Sequence, residues 1–323
     1  MKNPFISVII PVHNDAEHLG KCLESVFSSS YTLFEVIVVD DASSDDVNNV
    51  TEKFPCRFAR NKQRVGSGPS RNKGAKLARG ETLVFLDSDC IVHRGWLLRI
   101  VEDFREFKID AVAGQYSGFV EDAFISKFSF YELLFREGRL KRYVKTFPSC
   151  NFACKRDAFF NVGGFSEIGR YSDDLEFSYR FGKKYKILWE PKIHVKHHFP
   201  SRINVYACKQ FISSRDDVPL FLANKKMLVD ETFEDKMNYF EVLITALFLA
   251  SFFFLFLSFK AFALSALGFL IAIALFNIPF FVFLGRKEDY LFAVYSLPLV
   301  YFRNFIWLLG GLSGFVLAAG GRT

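Results

Sequence analysis

The sequence has no Cys-x-x-Cys pair. Its six cysteines, Cys22, Cys56, Cys90, Cys150, Cys154 and Cys208, therefore encode neither a zinc ribbon nor a thioredoxin-like redox motif. Cys150-x3-Cys154 would bind zinc only with partners from elsewhere, and no disulfide framework is visible. The expectation is reduced, mostly buried thiols in a cytosolic setting. A glycine fingerprint is also missing. Val65-Gly66-Ser67-Gly68-Pro69-Ser70 precedes a helical stretch but has the spacing of neither a P-loop nor a dinucleotide site. It reads as a loop beside a ligand or as a plain cap and turn. Strong charge is absent as well. A net charge of +6 over 323 residues is too small for nucleic acid and suits a membrane surface or a phosphorylated ligand. No secretory leader is expected, because the first apolar run, 5–12, is short and closes around a proline. No internal repeat is visible.

What the chain has in excess is apolar surface, with 50% hydrophobic residues and 41 phenylalanines. Residues 239–323 hold five Lys or Arg and three acids, which leaves the first 238 residues a net charge of about +4. Residues 242–259 carry no charge, and 261–285 carry none either; Lys260 separates them. A bilayer crossing needs roughly 20 apolar residues, so two antiparallel spans are expected, turning near 258–260. A third apolar stretch, 290–321, is broken by Pro298, Arg303 and Asn304. It reads either as an interfacial helix followed by a span or as one span with a buried arginine. Arg286 and Lys287 follow the second run, which by the positive-inside rule places that end, and the N-terminal domain, in the cytoplasm.

The first 238 residues alternate strand and helix. Buried strands are expected at 5–11, 34–39 and 83–86, and helices at 15–27, 45–54 and 70–79, with Gly80 as a C′ residue. Such alternation implies an α/β fold with a mostly parallel sheet. From about 110 the pattern loosens: 111–119 and 151–155 are strand-like, 123–141 and 173–183 helical. The expected division is a nucleotide-binding half at 1–110, an acceptor and catalytic half at 111–200, an interfacial amphipathic linker at 201–238 and a transmembrane region at 239–323.

Strand ends carry the polar residues. The run Leu83-Val84-Phe85-Leu86 ends in Asp87-Ser88-Asp89, whose spacing turns both carboxylates to one side. Open α/β sheets bind ligands at such carboxyl ends, and paired carboxylates suit Mg²⁺ or Mn²⁺ held with substrate phosphates. The first strand ends in Pro11-Val12-His13-Asn14 and the second in Asp40-Asp41. With Asp40-Asp41-Ala42-Ser43-Ser44-Asp45, Arg71-Asn72-Lys73-Gly74, Ala78-Arg79-Gly80-Glu81, Val162-Gly163-Gly164-Phe165 and Asp173-Asp174-Leu175-Glu176, the chain resembles the family 2 glycosyltransferases over about residues 5–200.

The resemblance implies a GT-A fold, a UDP- or GDP-linked sugar donor and a divalent cation. Donor contacts fall on Pro11, Val12, His13, Asn14, Asp40, Asp41, Arg71, Asp87 and Ser88. Metal ligands fall on Asp87 and Asp89, with His197 as a third. Asp174 becomes the general base for the acceptor hydroxyl, with inversion at the anomeric carbon. The plain alternative for Asp173 and Glu176 is a helix cap, with Glu176 paired to Arg180. The family usually has Glu where Asp173 stands, and many relatives have Gly where Ala42 stands. His194 and His198 are expected to be surface histidines without metal.

The acceptor side is read from charge beside apolar residues. The 123–145 segment has aromatic residues at helical spacing followed by Arg136, Arg139, Lys141, Arg142 and Lys145, which suits anionic headgroups or a lipid-linked phosphate. Arg215, Asn151 and Asp173 are further acceptor-side candidates. The Gln-x-x-Arg-Trp motif of polymer-forming relatives is absent from 210–216, which argues for single-sugar transfer. The alternatives are a non-catalytic nucleotide-sugar-binding membrane scaffold and a nucleotidyltransferase.

Overall fold

The structure, a computed structural model, describes residues 3–166, 173–228, 236–252 and 258–320. Tyr171 and Ser172, which precede the Asp173-Asp174 motif, and positions 253–257 of the first apolar run lie outside the described residues. In chain order the elements begin β1 (Ile6–Val12), α1 (Ala16–Phe27), β2 (Phe34–Asp40), α2 (Val47–Thr51), β3 (Arg57–Arg60), α3 (Ser67–Leu77), β4 (Thr82–Leu86) and β5 (Cys90–Val92). They continue α4 (Trp96–Glu106), β6 (Ala111–Phe119), α5 (Phe124–Glu137), β7 (Tyr143–Val144), β8 (Asn151–Lys155), α6 (Arg156–Asn161), α7 (Asp173–Gly182) and β9 (Ile187–His197). The last helices are α8 (Ile203–Ala223), α9 (Lys236–Ala250), α10 (Phe259–Phe276), α11 (Ile278–Lys287) and α12 (Tyr290–Ala319). Two compact units result: one built from the described residues up to 122 and from 137–199, the other from 123–136 and the helices beyond 200.

The first unit is one mixed sheet in the order β3-β2-β1-β4-β8-β6-β9-β5, with β7 on β9. The parallel part is the expected one: β3, β2, β1 and β4 all run together. Every residue of β1 and β4 is buried, as both-face coverage of a parallel sheet requires. Beyond them β8 runs antiparallel to β4 and β6, and β6 is again parallel to β9. Because Val12 pairs with Asp40 and Ile9 with Phe85, the chain leaves β1, β2 and β4 at one edge. Helices α3, α6 and α7 supply much of the core on one face, where Phe147 stacks on Phe152 at 3.9 Å and Phe165 on Phe177 at 4.1 Å.

Three local expectations change. Helix α3 starts at Ser67 and ends with Ala78 extended, so Gly80 is not a helix C′ residue. Gly80 is small because its N–H donates to Ser7 Oγ at 2.8 Å and a Cβ there would lie 2.6 Å from the Ser7 nitrogen. The expected helix at 45–54 shrinks to α2, capped by Asp46. Ala42 has φ +58°, the left-handed region that costs a Cβ-bearing residue about 1–2 kcal/mol. The relatives' glycine therefore has a physical reason.

In the second unit, the apolar run 261–285 is divided. Helix α10 ends at Asn277, whose amide donates to Ile273 O at 3.0 Å, and Pro279 opens α11. The stretch from Tyr290 is one continuous helix through Pro298. By length and composition, α10 and α12 are long and apolar enough to cross a membrane, with hydropathies of 2.2 and 1.4. Helix α12 packs on α8 through Gly310 and Gly314, where a Cβ would meet Ser214 Oγ at 2.0 Å and Arg215 O at 2.3 Å; small residues at this spacing let two helices approach. Arg303 is 3% exposed and pairs with Glu132 and, at 2.8 Å, with Glu241, to which Asn304 also donates. Arg136 pairs with Glu132 from the other side at 3.2 Å.

Two stability outcomes follow from these packings. Ala42→Gly relieves the left-handed strain and raises stability by about 1 kcal/mol, or about 2–4 °C in thermal unfolding. Arg303→Ala strands two buried glutamates and costs about 3–5 kcal/mol, whereas Arg303→Met with Glu132→Gln and Glu241→Gln costs less. Thermal unfolding of the full chain ranks the variants.

Candidate active site

The edge where β1, β2 and β4 end gathers most of the expected residues. Arg71, in α3 and 3% exposed, places one guanidinium nitrogen 2.6 Å from Asp87 Oδ1 and another 3.1 Å from Asp174 Oδ1. Burial opposes its charge, and Asp87 and then Asp174 more than restore it, so the guanidinium is held firmly protonated. The Asp87 carboxylate from β4 and the Asp174 carboxylate from α7 thus meet on one side chain. Ser149 completes the cradle of Asp174, its hydroxyl donating to Oδ1 and its N–H to Oδ2 at 3.3 Å.

Sequence reasoning missed Ser149. The signal lies in strand pairing: Leu86 faces Asn151 across antiparallel β8, and Asp87 N donates to Cys150 O. The residues just before β8 must therefore sit beside the aspartates. Loop residues carry no periodic pattern from which that pairing is readable.

The other end of the aspartate pair has its own partner. Asp89 Oδ1 lies 3.3 Å from His197 Nε2, and the buried Cys90 thiol belongs to the same group, its ligand atoms all within 4.8 Å of one another. Two donors each about 2.1 Å from one ion stand about 3.0–3.4 Å apart at angles between right and tetrahedral. The Asp89 and His197 spacing therefore fits a divalent cation. His197 Nδ1 is buried without a hydrogen-bond partner. Burial pushes the Cys90 thiol well up, so the thiol is a poor donor unless a metal displaces its proton.

Several motif residues fasten the site. Asp41 accepts from the N–H groups of Val65 and Gly66, both at 2.8 Å, and from Asn61 at 2.9 Å. Asp40, fully buried, accepts from Ser43 N at 2.9 Å and pairs with Arg60 at 3.1 Å. Asn14 bridges to Ser43 and Ser44, and His13 Nδ1 meets Asp41 O at 2.8 Å. Pro11 and Val12 are buried within β1. Asn72 holds both the N–H and the carbonyl of Phe165 at 2.8 Å, and Lys73 reaches Arg60 O at 2.7 Å. The loop before α3 is thus pinned by Asp41, and Arg71 faces carboxylates.

The acceptor-side residues divide. Asn151 is 2% exposed, accepts from Trp96 Nε1 at 3.0 Å and donates to Ile193 O at 2.9 Å, so both ends of its amide are engaged within the protein. Arg139 is exposed, in the loop after α5. Arg136 and Arg215 belong to the second unit, Arg136 with Glu132 and Arg215 with Asp216 at 2.7 Å. Ser88 donates to Asp15 at 2.8 Å. Glu176 grips Arg180 with two bonds of 2.7 Å, as the i,i+4 spacing predicts. His198 departs from expectation, being 9% exposed rather than on the surface. His194 lies against His93 with the rings tilted and their centroids 4.5 Å apart.

Asp173 is 2% exposed, accepts from Gly68 N at 3.2 Å and has its other oxygen unpartnered. Burial first, and Asp174 next, raise its pKa to about 7. An unfolded aspartate titrates near 3.9. The protonated side chain therefore favours the fold fully below about pH 4, and that contribution is lost as pH rises through about 7. Asp173→Asn, which stays neutral, is expected to gain on the wild type in unfolding midpoint as pH rises from about 4 to 7. A constant difference across that range contradicts the assignment.

Residues 7–174, just over half of the chain, match the family model described as glycosyl transferase family 2. The glycosyltransferase AglE of Haloferax volcanii is 38% identical over 118 residues, 34% of this chain and 39% of that protein. GlyG of Streptococcus pneumoniae is 27% identical over 194 residues, 54% of this chain and 64% of that protein. The chain thus spans less than two thirds of each of these curated relatives. Among solved structures, a mannosyltransferase from Pyrobaculum calidifontis, in complex with GDP-Man and Mn²⁺, aligns over 100% of this chain and 89% of its own. Its TM-score is 0.63 at 19% identity, a likeness of GT-A fold. With motifs in order, the fold and the family match in agreement, this chain belongs to glycosyl transferase family 2.

Proposed function

We propose that the chain is a membrane-anchored, cation-dependent, inverting glycosyltransferase. In this reading it moves a single sugar from a nucleotide-diphosphate donor to a lipid-linked acceptor at the cytoplasmic membrane face, in cell-envelope glycan assembly. The observation that carries the reading is Arg71 spanning Asp87 and Asp174, which joins the aspartate pair and the base in one site. Asp89, Asp87 and His197 would hold the cation. When bound, it supplies Lewis-acid neutralisation of charge on the departing nucleoside diphosphate. That the Pyrobaculum neighbour is in complex with GDP-Man and Mn²⁺ supports a nucleotide-sugar donor and a divalent cation here.

The chain's own groups do the rest. Asp174, oriented by Ser149, takes the proton of the acceptor hydroxyl as it attacks opposite the diphosphate. Donor phosphate reaches Arg71 by displacing one of the carboxylates, Asp87 or Asp174, that hold its terminal nitrogens. Pro11, Val12, His13 and Asn14, with Asp40, Asp41 and the loop amides that Asp41 holds, form the nucleoside wall. The apolar helices α10 and α12 support membrane anchoring, and Arg286 and Lys287 favour a cytoplasmic catalytic unit.

Membranes bearing the protein, given radiolabelled GDP- or UDP-sugars with Mn²⁺ or Mg²⁺, should yield a labelled lipid extract. EDTA should abolish the label, and Asp174→Asn should lower the rate by about 10²–10⁴-fold. Transfer that persists without divalent cation counts against the proposal, and label confined to water-soluble products counts against the lipid acceptor.

A further inference from the structure

The catalytic reading leaves one cluster unused. His18, in the first turn of α1, Glu121, just after β6, and His198, just after β9, bring their ligand atoms within 4.8 Å of one another. The two imidazoles face each other with ring centroids 3.8 Å apart. His198 is 9% exposed, and both its ring nitrogens are buried without a hydrogen-bond partner. A buried polar atom with no partner is costly in an interior, and here it points at another histidine and a carboxylate.

The orientation of His18 adds an independent observation. Its Nδ1 is hydrogen-bonded to Asp15 Oδ1, which leaves Nε2 for a further partner. Histidines that ligate metals almost always give their other ring nitrogen to a carboxylate, a backbone carbonyl or water, fixing tautomer and direction. The second oxygen of Asp15 accepts from Ser88 Oγ at 2.8 Å, and Ser88 stands between Asp87 and Asp89. The cluster is therefore tied to the aspartate loop through a single carboxylate.

We infer that His18, Glu121 and His198 form a second cation site, separate from the group around Asp89 and His197. Two imidazoles and one carboxylate suit zinc or a similar late first-row ion better than Mg²⁺, which takes an all-oxygen shell. Three protein ligands leave a fourth tetrahedral position for water. The ion's effect is positional: it fixes the start of α1 through His18, and through Asp15 it holds Ser88 and the loop carrying the aspartate pair.

Titration of the EDTA-stripped full chain in detergent tests this, using Co²⁺ absorption and Zn²⁺ calorimetry with excess Mg²⁺ present. The decisive background is Asp89→Asn with His197→Gln, which disables the neighbouring group. One equivalent of Co²⁺ with a tetrahedral spectrum should still bind there. Glu121→Gln, at an exposed position that the fold does not need, should weaken Zn²⁺ at least tenfold. Asp15→Asn should weaken it about 10–100-fold. Loss of all binding in the Asp89→Asn, His197→Gln protein overturns the inference, because the ion then belongs to the aspartate pair. Unchanged affinity in Glu121→Gln and His18→Gln overturns it as well.

Discussion

The arrangement depends on one buried guanidinium. Arg71 is almost fully enclosed and holds Asp87 and Asp174 on separate nitrogens. Removing an arginine from water is expensive unless its charge is answered at close range, and these two carboxylates answer it. Two acids against one base leave the site negative, which favours a cation among the carboxylates and their histidine. Opposing charges in a partly buried setting act more strongly than at the surface. The same contact fixes α3 against the end of β4, 16 residues on, and the start of α7, 103 residues on.

Much of the rest serves to keep that contact in register. Asn72 clamps the backbone of Phe165, Lys73 ties α3 to the end of β3, and Asp41 holds the amides that open the helix. Glu35, in β2, collects Ser7, Arg79 and Arg57. A motif shared with a family is thus a mixture of residues that meet ligands and residues that hold the others in place. Asp40 illustrates the second kind: it caps its own turn and pairs with Arg60.

The parallel half of the fold was legible because its strands are short apolar runs ending in polar residues, and its helices carry apolar residues at helical spacing. Asp87, Asp89, Asp174 and His197 were named from the resemblance, and the structure brings Asp87 and Asp174 to Arg71 and Asp89 to His197. Less visible was everything that depends on antiparallel pairing across long sequence separation. The edge strand β5, the place of Ser149 and the approach of Glu121 to His18 follow from registers that no local pattern states. Helix α4 went unread although Trp96, Leu97, Ile100 and Val101 face the core. Burial misled the reading of His198, since a His-His pair after a strand looks like a polar exit. In the C-terminal part, hydropathy located the apolar segments but not the break at Asn277, where an asparagine cap and Pro279 two residues on end one helix and open the next.

The central claim is that a divalent cation on Asp89 and its partners and a base on Asp174 serve one nucleotide-sugar site. Calorimetry of GDP and UDP with and without Mn²⁺ tests it most directly, on wild type, Asp89→Asn and Asp174→Asn. The account predicts nucleoside diphosphate binding that needs Mn²⁺, is lost in Asp89→Asn and persists in Asp174→Asn. Equal binding without the cation, or intact binding in Asp89→Asn, would contradict it.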